Sequence, residues 1–126
     1  MNLTGVPETM LQTIYARAKE SKGRGAICDK KAEEIVSRLD YDFSLADKDT
    51  AMHSGVIART IVLDRLTTAW LAAHPGGVVV NIACGLDTRC YRMKGYAHWY
   101  NLDLAGNDGR ACETPAGEQL DLADCH

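Results

Sequence analysis

The apolar positions of the chain fall into three stretches with helical spacing, followed by two short runs of a different kind. Met10, Leu11, Ile14, Tyr15 and Ala18 recur at intervals of three and four, which places them on one face of a helix. Pro7 suits the first turn of that helix, where its missing N–H costs nothing. Gly23 follows Lys22 as a left-handed C-cap, so the pattern predicts a helix over 7–22. Asp29 can cap a second helix by accepting from amides two and three residues on. Ala32, Ile35, Val36 and Leu39 form its apolar stripe, and Tyr41-Asp42-Phe43-Ser44 reads as a turn that tucks an aromatic ring inward. A third helix, capped at Ser54, carries Ile57, Ile61, Val62, Leu66, Ala69, Trp70 and Ala73 on one broad face. His74-Pro75-Gly76-Gly77 ends it, because a residue before proline is pushed out of the helical region.

The pattern then changes period. Val78-Val79-Val80-Asn81-Ile82 is a short, β-branched run, the composition of a strand buried on both faces of a parallel sheet. Ala83-Cys84-Gly85-Leu86-Asp87 is a turn of small residues, Asp87-Thr88-Arg89 opens a helical turn running to about Met93, and His98-Trp99-Tyr100-Asn101-Leu102 is a second strand closing on Asp103. Three helices followed by strand, turn, helix and strand predict an α/β fold entering its sheet through the first two strands.

Composition narrows the function classes. The chain has 126 residues, 46% of them apolar, which is one domain's worth of material with enough to form a core. A net charge of −3 gives no general attraction to nucleic acid or acidic membranes. No apolar run approaches the ~20 residues of a transmembrane helix, and Met1-Asn2-Leu3-Thr4 has no basic region ahead of an apolar stretch, so a cytoplasmic location is expected. Cys28, Cys84, Cys90, Cys112 and Cys125 form no C-x-x-C pair and read as free thiols. The spacing of Cys112, Cys125 and His126 matches no zinc pattern. Charge is uneven along the chain: residues 1–104 carry 13 basic against 12 acidic side chains, whereas 105–126 carry Arg110 against five acidic ones.

A strand that ends in a small-residue turn and feeds a helix is a device for binding a cofactor. The turn lets the backbone approach a ligand closely, and an acidic residue ending the next strand can accept from ribose hydroxyls. Gly85 and Asp103 stand where this arrangement needs them. Ala83 and Asp87 occupy positions where a dinucleotide fingerprint has glycines, which disfavours NAD.

Val79-Val80-Asn81-Ile82-Ala83-Cys84-Gly85-Leu86-Asp87-Thr88-Arg89 resembles the first motif of the leucine carboxyl methyltransferase family, S-adenosylmethionine-dependent O-methyltransferases that include polyketide carboxyl methyltransferases of the tetracenomycin type. Tyr15-Ala16-Arg17-Ala18, Asp29-Lys30-Lys31-Ala32, Tyr41-Asp42-Phe43 and Arg59-Thr60 are similar to the family's N-terminal region, and Trp99-Tyr100-Asn101-Leu102-Asp103-Leu104 to its second strand. The resemblance covers roughly residues 7–104. It implies N-terminal helices followed by the first βαβ of a Rossmann-like class I methyltransferase sheet. It also implies that the backbone of Ala83, Cys84 and Gly85 lines the methionine part of S-adenosyl-L-methionine, that Asp103 binds the ribose hydroxyls and that Arg59 pairs with the cofactor carboxylate. Asp87 and Thr88 would brace the turn, and Arg89 would join the pocket or a neighbouring carboxylate. Methyl transfer from a sulfonium to a carboxylate needs alignment more than acid–base help, so no general base is assigned.

Structural roles compete with these. Asp103 can cap a turn, Arg59 can be a surface charge or pair with Asp64, and Asp87 can be a helix N-cap. Cys84 and Cys90 suit a core as small residues, the Trp70 and Trp99 rings suit it as large ones, and nothing in the sequence gives His53, His74 or His98 a partner. The family has glycine where Ala83 stands, and a β-carbon there would crowd the cofactor or sit at a positive φ costing roughly 1 kcal/mol. A full methyltransferase sheet needs on the order of 200 residues. The expectation is therefore a truncated copy, with residues 1–104 the N-terminal portion of the domain and 105–126 an acidic tail foreign to the fold or disordered. Two functions stay open: an O-methyltransferase acting on a carboxylate of a small molecule or a protein terminus, and a non-catalytic remnant serving as a weak cofactor-binding or interaction segment. The sequence leaves oligomeric state open.

Overall fold

The computed structural model describes residues 8–103 and the backbone of 112–115. The chain divides between Asp64 and Arg65 into two compact units. In the first, helix α1 (Glu8–Lys22) buries Leu11, Ile14 and Ala18 as its apolar spacing requires. Pro7 lies outside the described residues. The left-handed residue is Gly25 (φ 73°), not Gly23. The Gly23 amide still donates to Lys19 at 2.9 Å, and the chain reverses two residues later, where Gly25 donates to Glu20 at 2.8 Å.

Helix α2 (Lys30–Arg38) begins where expected: the Asp29 carboxylate accepts from the Ala32 amide at 3.0 Å. The other oxygen of Asp29 pairs with buried Arg17 at 3.2 Å, which ties α2 to α1. A short helix, α3 (Ser44–Lys48), follows the expected turn, its start secured by the Ser44 amide donating to Asp42 at 2.9 Å. Phe43 is tucked in by rings: it stacks on Tyr15 at 4.5 Å and meets the edge of Tyr41 at 4.9 Å.

Helix α4 (Thr50–Ala73) starts four residues ahead of the expected cap. Asp49, whose carboxylate accepts from Met52 at 2.9 Å, takes that role, leaving Ser54 exposed inside the helix. The buried positions of α4 are Val56, Ile57, Thr60 and Leu71, while Val62, Leu66 and Trp70 of the expected face are exposed. Apolar side chains surround much of this helix, so periodicity alone does not select the face that turns inward.

In the second unit the end of α4 is shaped by Trp70. Its ring stacks on His74 at 4.4 Å, and a β-carbon at position 77 would lie 2.6 Å from the indole, so any larger residue there would have to displace the ring. Strand β1 (Gly77–Ile82) runs parallel to β2 (Tyr96–Leu102), and β3 (Cys112–Pro115) pairs antiparallel on the other side of β2. The backbone of Cys112–Pro115 thus joins the sheet, and the rest of the acidic tail lies outside the described residues.

Two expectations about the sheet are corrected. The helical turn expected from Asp87 to about Met93 is present, but as a 3₁₀ turn, Arg89–Tyr91, where a βαβ unit has an α-helix. Asp87 ties the chain down at the start of that turn and Gly95, with φ 86°, bends it back at the end, leaving little length for a helix. β1 is also not covered on both faces. Val78, Val80 and Ile82 are 52%, 53% and 77% exposed, whereas Val79 shares the other face with Trp99, which is 2% exposed. The α/β class itself stands, with helices leading into two parallel strands. Among the described residues, no helix is long and apolar enough to cross a membrane.

Candidate functional site

The turn after β1 is built from backbone that few side chains tolerate. Ala83 and Gly85 both have positive φ, 55° and 52°. Glycine adopts this conformation freely, whereas alanine carries a β-carbon penalty of about 1 kcal/mol. The Cys84 amide continues the ladder to Leu102 at 3.1 Å, and Cys84 in turn accepts from the Asp87 amide at 2.9 Å, closing the turn. Ala83 is exposed, and Cys84 and Gly85 are half-buried.

Asp103, one residue beyond β2, reaches back into this turn. Its Oδ2 accepts from the Gly85 amide at 2.6 Å, a charge-assisted contact. The parallel register, with Ile82 opposite Leu102, is what puts the ends of the two strands side by side. The sequence-predicted pair therefore meets directly.

Asp87 is held on several sides. Oδ2 accepts from Asn81 Nδ2 at 2.8 Å and from the Arg89 guanidinium at 2.7 Å, and Oδ1 accepts from the Arg89 amide at 3.0 Å. Arg89 thus takes the neighbouring carboxylate as its partner. Thr88 is buried and accepts from Arg92 at 3.1 Å. Of the two cysteines here, Cys90 is buried in the core and Cys84 is half-buried. Arg59 lies on α4 in the first unit with its side chain exposed.

Two sets of residues escaped sequence reasoning. One is the cross-strand pair Asn81 and Asn101, joined at 3.2 Å. Its signal was an amide in the middle of an otherwise apolar strand. The other, in the first unit, is Glu20 and His53, joined at 2.8 Å across 33 residues of chain, a separation that leaves no local pattern. Glu20 is buried. The His53 ring first, then Arg24 and the Ala26 amide, hold its carboxyl below the ordinary value of 4.5 against the opposing effect of burial.

The arrangement offers a half-exposed backbone corner beside a carboxylate at the end of the adjacent strand. Such a corner can accept the polar groups of a nucleoside-bearing ligand while its backbone approaches the remainder closely. Among the described residues no cluster of three or more potential metal ligands occurs.

Comparison with known proteins gives a consistent picture. The family model for leucine carboxyl methyltransferase matches residues 10–105. The tetracenomycin polyketide synthesis O-methyltransferase TcmP of Streptomyces glaucescens is 40% identical over 107 residues, covering 82% of this chain and 40% of that protein. The S-adenosyl-L-methionine-dependent methyltransferase dpfgK of Gibberella zeae is 34% identical over 103 residues, covering 75% of this chain and 35% of that protein. The chain thus spans less than half the length of these relatives. No solved structure matches it.

Proposed function

The chain belongs to the leucine carboxyl methyltransferase family, and from that premise we propose that it carries the cofactor-binding portion of an S-adenosyl-L-methionine-dependent O-methyltransferase whose acceptor is a carboxylate, on a small molecule or a protein terminus. The observation that carries the proposal is the closure of the β1 turn by Asp103 on the Gly85 amide at 2.6 Å. The two parallel strands are then the first two of a Rossmann-like sheet.

The residues present fit the cofactor. Asp103 is a half-exposed carboxylate that can accept from the two ribose hydroxyls. The backbone of Ala83, Cys84 and Gly85, with positive φ at Ala83 and Gly85, is open enough to lie against the methionine part. Asp87 acts as a strut, its oxygens being engaged by Asn81 and Arg89. When bound, S-adenosyl-L-methionine supplies an electrophilic methyl group on a sulfonium. A carboxylate acceptor is already ionised at neutral pH, so the protein's task is to orient and desolvate, and no side chain need carry a proton.

A second reading is cofactor binding without methyl transfer. Calorimetric titration with S-adenosylhomocysteine tests the first proposal. Saturable binding that is lost in Asp103→Ala supports the pocket, and absence of binding to folded protein refutes it. A methyl-transfer assay on carboxylic acids then separates enzyme from binder.

A further inference from the structure

We propose that Asn81 is the positioning residue of the β1 turn, setting the direction in which Asp87 and Arg89 are held. The inference rests, for its bearing on cofactor affinity, on the function proposed above. Asn81 breaks the apolar run of β1 and lies directly opposite Asn101 in the parallel register. Both contacts recorded for its side chain use the amide nitrogen: 2.8 Å to Asp87 Oδ2 and 3.2 Å to Asn101 Oδ1. The Asn101 oxygen also accepts from the indole Nε1 of Trp99 at 3.0 Å.

An indole N–H can only donate. Trp99, 2% exposed and fixed by the core, therefore compels Asn101 to present its oxygen. That oxygen compels Asn81 to present its NH₂, and the NH₂ requires an acceptor, which Asp87 supplies. Asp87 then takes both the amide and the guanidinium of Arg89, at 3.0 and 2.7 Å. Donor direction is thus relayed from a buried ring through two amides into the loop that carries the candidate site. Position 81 needs a donor of asparagine's shape. A carboxylate there would face the carboxylate of Asp87, and one of two such groups ionises only with difficulty.

The test compares wild type, Asn81→Asp and Asn81→Leu. The first readout is the ¹H–¹⁵N spectrum of the ligand-free protein, following the Arg89 amide and the Trp99 indole. In Asn81→Asp both signals should move with pH between about 7.5 and about 5, as protonation of one carboxyl restores a donor, and by more than in wild type. The second readout is S-adenosylhomocysteine affinity. A lost partner of this kind weakens binding about tenfold or more. Asn81→Asp should show this near neutral pH and recover towards pH 5, and Asn81→Leu should lose affinity without pH dependence. Arg89 and Trp99 signals in Asn81→Asp that ignore pH would overturn the proposal, as would equal, pH-independent losses in Asn81→Asp and Asn81→Leu. If wild type fails to bind S-adenosylhomocysteine, the functional proposal falls, while the ligand-free spectra still decide the role of Asn81. Should Asn81→Asp fail to fold near neutral pH, refolding on acidification supports the relay and persistent unfolding opposes it.

Discussion

Asp103 Oδ2 and the Gly85 amide lie 2.6 Å apart, a single contact that closes eighteen residues of chain between the ends of two parallel strands. Its chemistry separates two roles that one carboxylate can play. Asp103→Asn keeps an oxygen for the Gly85 amide and loses the charge, whereas Asp103→Ala leaves that half-buried amide without this acceptor. The alanine variant should be destabilised by about 1 kcal/mol relative to the asparagine variant, read from urea unfolding. Both should lose S-adenosylhomocysteine affinity about tenfold or more, because a ribose diol donates more strongly to a carboxylate than to an amide. An asparagine variant that binds as wild type would assign Asp103 to the turn alone.

Ala83 has φ 55°, so Ala83→Gly relieves a steric penalty and adds chain entropy to the unfolded state. The steric side is larger at a left-handed position. The variant should gain about 0.5–1 kcal/mol, seen as a higher urea midpoint with unchanged slope. A lower midpoint would mean that the alanine methyl makes contacts worth more than its strain.

The two faces of the sheet should respond differently to substitution. Ile82 is 77% exposed and Trp99 is 2% exposed. Ile82→Thr should change stability by no more than about 0.5 kcal/mol, and Val80→Thr should behave alike. Trp99→Ala should cost about 3–5 kcal/mol and also remove the donor that orients Asn101. Thermal unfolding of the three variants checks this. A large loss at Ile82 would show that the face is covered in solution, by another copy or another protein.

What the sequence could convey depended on how local each interaction was. Asp29 was legible as a cap because its amide partner is three residues away. Gly85 and Asp103 were legible because strand–turn–strand geometry dictates where the second carboxylate falls. The inward face of α4 was legible at Ile57 but not at Val56, Thr60 and Leu71, which are no more distinctive than Ile61, Val62 and Leu66 in a helix with apolar residues on many sides. The second face of β1 was misread because composition reports what a strand could bury, not what is present to cover it. The Asn81–Asn101 pair depends on register, and the Glu20–His53 pair on how distant segments of the first unit fold together. Neither partnership can be read at short range, although Asn81 itself stands out as an amide in an apolar strand.

Glu20 links acidity to stability. Its carboxylate is buried and meets His53 at 2.8 Å, Arg24 at 3.2 Å and the Ala26 amide at 3.4 Å. These contacts, His53 foremost, hold its carboxyl below the ordinary 4.5 although burial acts the other way. A carboxyl whose folded value lies below its unfolded value contributes stability above the unfolded value, and that contribution vanishes as pH falls through the folded one. The chain should therefore lose stability as pH drops below 4.5. Glu33, Glu34, Asp42 and Asp47 are lowered in the same direction by their own partners, so wild type alone does not isolate Glu20. Glu20→Gln keeps the shape and removes the charge. It should be less stable than wild type near neutral pH, and the gap should narrow as the medium is acidified from about pH 6 to about pH 3. Urea midpoints across that range measure the gap, and a constant difference between the two proteins would show that the carboxylate contributes through packing and not through its ionisation.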